Sequence, residues 1–137
     1  VAIIEPGSAP AERLASTHLA WLTTVRRDGQ PQSSYVWFHH DGTDILVASQ
    51  PGAAKLRNIR ANPKVSFHLD GDADGGNVLS IEGTAEVIDG EPPPERIAGY
   101  LAKYDEVIRT RLQSTPEVLR RDYSVGISIR PSRVRAW

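Results

Sequence analysis

A small antiparallel β-barrel with helices at its rim, mainly β in class, is the architecture this sequence predicts. Three observations carry it. Short alternating or apolar runs are separated by glycine-bearing turns, one helical stretch is inserted after the third run, and more helical sequence precedes the last. Antiparallel closure removes the exposed edges that such strands would otherwise present.

In chain order, Val1 to Ser16 opens on a short apolar run and continues through Ser8-Ala9-Pro10-Ala11-Glu12-Arg13-Leu14-Ala15, a capped helix with proline in its first turn. Leu19 to Val25 is a strand, and Arg26-Arg27-Asp28-Gly29 supplies a turn in which Gly29 takes positive φ. Gln30 to His40 is a second strand, Asp41-Gly42 a second turn, and Thr43 to Ser49 a third strand, which completes a meander. Pro51-Gly52 breaks the apolar run. Ala53 to Ala61 then holds good helix formers, and Asn62-Pro63 ends the helix because proline disfavours the α conformation before it.

Lys64 to Asp70 is a fourth strand, followed by the acidic loop Gly71-Asp72-Ala73-Asp74-Gly75-Gly76. That loop reads as a hairpin tip, since it lacks the closing bidentate glutamate of a calcium loop. Asn77 to Ile88 alternates as a long strand with Gly83 as a bulge or point of close approach. After the proline-rich connector Asp89 to Pro94, Ile97, Leu101 and Tyr104 recur at helical spacing over Glu95 to Tyr104. A break near Tyr104-Asp105 precedes another helical stretch, and Thr115-Pro116 starts a further helix with Thr115 as cap. Tyr123 to Ile129 is the last core strand, and Arg130 to Trp137 continues it as an edge or tail.

Composition narrows the function. The 137 residues, 39% hydrophobic and 24% charged, fit one domain over residues 1–137. A net charge of -1 provides no global basic field for nucleic acid, and the strands lack interleaved aromatic and basic residues. With no cysteine, thiolate catalysis and cysteine metal sites are excluded. His18, His39, His40 and His68 lack zinc-site spacing, and adjacent His39 and His40 point to opposite faces of a strand, so no metal is expected. No apolar run is long enough to cross a bilayer and no signal-peptide pattern opens the chain, so the expected location is cytoplasmic, away from membranes.

The helix over Ala53 to Ala61 is where chemistry concentrates. Leu56 and Ile59, three apart, face the core, whereas Lys55 and Asn58 share another face expected to be exposed. A cation and an amide beside a helix N-terminus suit a phosphate or carboxylate. A solvated connector helix is the plainer alternative.

The ordered set Leu22-Thr23-Thr24-Val25, Gly29-Gln30-Pro31, Val36-Trp37-Phe38, Leu46-Val47-Ala48-Ser49, Lys55-Leu56-Arg57-Asn58-Ile59, Asn62-Pro63-Lys64-Val65-Ser66 and Glu82-Gly83-Thr84-Ala85 resembles the pyridoxamine-phosphate-oxidase-like split β-barrels, which bind flavins and the deazaflavin coenzyme F420. No single piece is specific; their order and spacing are. The resemblance implies a homodimer with cofactor sites at the subunit interface and a small-molecule substrate. It implies Ser49, Lys55 and Asn58 as phosphate ligands, with Ser34, Tyr35, Val36, Trp37 and Ala48 lining the tricyclic ring. Pyridoxamine-phosphate oxidases proper carry a basic pair where this chain has Ala54-Lys55, and their basic C-terminal substrate residues have no counterpart, which argues against vitamin B6 oxidation. The closer resemblance is to the F420-dependent actinobacterial branch, implying an oxidoreductase that transfers a hydride between the deazaflavin and a small acceptor.

Two rivals share the barrel: an FMN-binding oxidoreductase, and a non-catalytic carrier of flavin, haem or tetrapyrrole. Tyr35, Tyr100, Tyr104, Tyr123 and His39 are chemically able to donate a proton, and none is singled out. Trp21 is expected in the core, Trp37 in the core or a pocket wall, and Trp137 as a cap on the pocket or the dimer seam.

Overall fold

The computed structural model describes residues 3–137, so Val1 and Ala2 of the expected apolar opening lie outside the described residues. The elements are α1 (Ala9–Ser16), β1 (Leu19–Val25), β2 (Pro31–His40), β3 (Ile45–Ser49), α2 (Ala54–Ala61), β4 (Lys64–His68), β5 (Leu79–Val87), α3 (Pro94–Thr110), α4 (Pro116–Asp122) and β6 (Val125–Ala136). The six strands close into an antiparallel barrel in the order β1-β2-β3-β6-β5-β4, with β4 returning to β1.

Period-two alternation places Ala20 and Leu22, Val36 and Phe38, Val65 and Phe67, and Leu79 and Ile81 inside, where they meet Ile127 and Ile129 in one core. β3 is buried on both faces, which explains its unbroken apolar run: Ile45 and Val47 point into the barrel, and Leu46 points out beneath α3. That outer layer, Leu46 with Tyr100, Tyr104 and Ile108, forms a second core.

The caps follow the sequence. The Ser8 hydroxyl accepts from Ala11 N–H, Thr115 accepts from Val118 N–H, and Gly29 has φ +90° in its turn. Gly83 is both things expected of it. The ladder shifts register between Glu82 and Gly83, and a Cβ at Gly83 would lie 2.5 Å from the Arg130 carbonyl oxygen.

Three expectations are corrected. No break occurs at Tyr104-Asp105: α3 runs unbroken to Thr110, because Tyr104 and Ile108 continue the buried stripe begun by Tyr100 and no glycine or proline falls between Tyr100 and Thr110. Arg130 to Ala136 is no tail, since it pairs with β5 as far as Leu79↔Ala136. Pro131, which has no N–H to give, falls opposite Gly83 at the bulge and costs the ladder little. Trp21 lies outside the core, stacked on Tyr35 at 4.5 Å with its Nε1–H donating to the Asp70 carboxylate.

Among the described residues, no helix is long and apolar enough to cross a membrane, and no group of three or more His, Asp or Glu is placed to hold a metal.

Candidate cofactor cleft

Between the outer face of β2 and β3 and the α3–α4 segment lies a cleft of about 300 Å³. Five of the eight sequence-chosen residues meet there: Tyr35, Val36, Trp37, Ala48 and Lys55. Strands supply the floor. The opposite wall comes from Tyr100 of α3, Leu112 beyond its end, Leu119 of α4 and Tyr123 after it.

The floor is rigid because Trp37 is backed by the second core. Its ring lies parallel to that of Tyr104, at 4.3 Å between centroids. Tyr104 is wholly buried, and its hydroxyl is spent on the backbone: it accepts from Phe38 N–H (2.8 Å) and shares its proton between the carbonyls of His18 (2.7 Å) and Phe38 (2.9 Å). Burial pushes its pKa up, so it stays a neutral prop outside the cleft.

Lys55 is the one cationic residue of the lining. It sits in the first turn of α2, a helix whose N-terminus has no side-chain cap and no acidic residue nearby. Half-burial alone holds its ammonium below the ordinary lysine pKa, and no carboxylate compensates. A half-buried cation with no carboxylate partner among the described residues, beside uncapped helix N–H groups, is suited to an anion.

The remaining three candidates lie outside the lining. Ser34 lies on the inward face of β2, directly opposite buried Leu22. Ser49 is buried, and its hydroxyl donates to the Gln50 carbonyl at 2.9 Å. Asn58 departs from the exposed face expected for it: it is buried, and its amide donates to Thr24 Oγ1 and Gln32 Oε1, both at 3.0 Å. Positions three apart are offset by about 60° around a helix, so Lys55 stays half-exposed while Asn58 turns toward the barrel, where Thr24 offers it a partner.

Asn58 instead borders a second depression of about 510 Å³ with Arg26, Arg27, Arg57 and Arg60. Arg26 is held by a bidentate pair with Asp28, and Arg57 reaches the Gly52 carbonyl, so Arg27 and Arg60 are its uncommitted charges.

Of the possible proton donors, Tyr35 gives its proton to Asp70 at 2.6 Å, and that bond pushes its pKa up. Tyr100, in the wall, is kept neutral by burial and by the neighbouring Tyr104 phenol. His39 packs against Gly99 of α3, outside the lining. Trp137 is 70% exposed and donates to the Gly75 carbonyl, also away from the cleft. Leu112 and Leu119 were not foreseen. A faint signal exists in Leu119 and Tyr123, four apart across the end of a short helix rich in charged residues.

A closed antiparallel barrel flanked by an aromatic cleft with a cation in its lining defines the class, a split β-barrel of the flavin and deazaflavin type. More particularly, the chain belongs to the pyridoxamine 5'-phosphate oxidase family, whose model matches residues 9–137. It is similar to an F420 reductase, at 30% identity over 93% of this chain and 97% of that one, with a TM-score of 0.67. A conserved hypothetical protein of Mycobacterium tuberculosis, Rv2991, is 26% identical over 98% of this chain and 86% of its own, with a TM-score of 0.74. HutZ, the haem storage protein of Vibrio cholerae, has a TM-score of 0.74 at 18% identity over 97% of this chain and 95% of that one, a likeness of fold alone.

Proposed function

We propose that this protein is an F420-dependent oxidoreductase that passes a hydride between the deazaflavin and a small organic acceptor. The observation that carries the reading is Lys55, half-buried and without a hydrogen-bond or ion-pair partner among the described residues, in the lining of a cleft floored by Trp37. In this reading Lys55 and the uncapped N–H groups of α2 hold the phosphate. Ser49 and Asn58, already bonded within the chain, keep the strand end and the helix in place around it. The β2 backbone from Ser34 to Trp37, with Ala48, supports one face of the ring, and Trp37 borrows rigidity from Tyr104. When bound, the reduced deazaflavin supplies the hydride; the chain supplies position and a dry wall.

F420 is preferred to FMN on two grounds. Ala54 leaves room beside the phosphate for a chain to continue, where a second cation would close on a terminal phosphate. The arginine-lined depression bordered by Asn58, on the same helix as Lys55, offers charges to an acidic tail. The similarity to an F420 reductase supports the same choice. A haem-carrying role gains less, because none of the four histidines lines the cleft.

We also propose that the chain works as a homodimer with this cleft at the seam. The outer faces of β1, β4 and β5 offer a depression of small polar residues, including Thr23, Ser66 and Thr84, for a second copy. Sedimentation that finds only monomer at micromolar concentration would remove the interfacial site.

Titration of F420 and FMN, read by tryptophan quenching at low and high ionic strength, tests the cofactor. F420 should bind more tightly, by a margin that grows with tail length and shrinks with salt. Tighter binding of FMN under both conditions would return the protein to the flavin branch.

A further inference from the structure

The cleft gathers exposed apolar side chains from both its floor and its opposite wall. The exposed large hydrophobic residues among the described residues are Ile3, Tyr35, Leu112, Tyr123 and Trp137, and three of these five line this cleft. Scattered singly, exposed apolar side chains need no explanation; gathered at one concave site, they mark an interaction surface.

We infer that Leu112, Leu119 and Tyr123 form an acceptor-selecting wall that admits uncharged, apolar molecules and rejects charged ones. The inference rests on the cleft being the cofactor site and adds the substrate class. Charge accounting decides it. Lys55 is the only charged residue in the lining, and no Asp or Glu is present. Once the cofactor phosphate takes Lys55, a charged acceptor finds nothing in this chain's lining to pair with, and burying it unpaired is strongly unfavourable.

The wall is also built to adapt. α4 has no buried residue; Leu119 packs partly on the second core, and Arg120 reaches out of the helix to pair with Glu91 at 3.0 Å. At the joint between α3 and α4, Gln113 sits at φ +49°, a left-handed conformation uncommon for a residue with a Cβ. A weakly packed element jointed at such a residue belongs to the low-stability part of a fold, where ligand-fitting segments are found. The floor, by contrast, is fixed by the Trp37–Tyr104 stack. One rigid face and one compliant face let acceptors of different outline fit, provided they carry no charge.

The test uses N-phenyl-1-naphthylamine, a neutral fluorescent probe, and a naphthalene carboxylate of similar size, titrated into the full chain with and without saturating F420. With cofactor present, the neutral probe should bind at least tenfold more tightly than the carboxylate. The Leu112→Asp, Leu119→Asp double variant should lose at least tenfold in probe affinity. Both side chains are incompletely buried, so the variant should fold, which circular dichroism checks. Without F420 the double variant should still bind the neutral probe more weakly than the wild type does, which separates failure of this inference from failure of the cofactor reading. Equal affinity for both probes, or an unaffected double variant, would overturn the wall's role. An unaffected variant that also ceases to self-associate would make the wall a subunit contact instead.

Discussion

The indole of Trp37 and the phenol of Tyr104 lie face to face, their planes 1° apart, with Trp37 in the cleft and Tyr104 wholly buried behind it. Through this pair the barrel's outer core supports the cleft floor, and Tyr104 also seals backbone groups of Phe38 and His18. Tyr104→Phe keeps the stack and removes the hydroxyl, leaving the Phe38 N–H without its partner. Stability should fall by roughly 1–3 kcal/mol, the cost of an orphaned buried donor. Denaturant unfolding with an unchanged slope measures this, and cofactor affinity in the folded variant should change little.

Lys103, one position before Tyr104, donates to the carbonyls of Leu14 (3.0 Å) and Phe38 (2.9 Å) with its ammonium 3.6 Å over the Phe38 ring. Burial lowers its pKa to about 8 in the folded protein, against 10.5 ordinarily. Between those values the unfolded chain binds more protons than the folded one, so Lys103 makes stability rise with pH across that window. Below about pH 8 the amine is charged in both states and its contribution is flat. Thermal or urea midpoints should show a rise in that range, absent in Lys103→Met.

Gly83→Ala places a methyl 2.5 Å from a backbone carbonyl that cannot swing aside. The bulge must open, at a cost of roughly 1–3 kcal/mol typical of overpacking. Urea titration should show it, and an unchanged midpoint would mean that the β5–β6 ladder yields freely.

Arg27→Ala with Arg60→Ala removes the uncommitted charges of the second depression. The preference for longer acidic tails should vanish and the salt dependence of F420 binding should flatten, while FMN binding stays unchanged. A tail preference that survives both changes would place the tail elsewhere.

The barrel was legible because its signals are local. Alternation in Leu19 to Val25, glycine at position 29 and proline at 63 each act on their own neighbours. The late corrections are all non-local. Tyr104 continues α3 because Leu46 and Trp37 lie across from it, and Arg130 to Ala136 is a strand because β5 is there to pair with. The same divide holds at the cleft. Lys55 and Trp37 belong to motif pieces, whereas Asn58 was misjudged for exposure because its inward partners Thr24 and Gln32 come from other strands. Leu112 and Leu119 look like ordinary surface leucines until the chain folds them over the strands.

The central claim is that Lys55 anchors the cofactor's phosphate in the Trp37-floored cleft. It is tested most directly by titrating F420 into the wild type and Lys55→Ala while following tryptophan fluorescence. Loss of a charge-assisted hydrogen bond in a partly buried site should weaken binding by roughly 1.5–3 kcal/mol, or about 10- to 150-fold in Kd. Folding should be unaffected. A folded Lys55→Ala protein that binds F420 as tightly as the wild type would contradict the account and move the phosphate elsewhere.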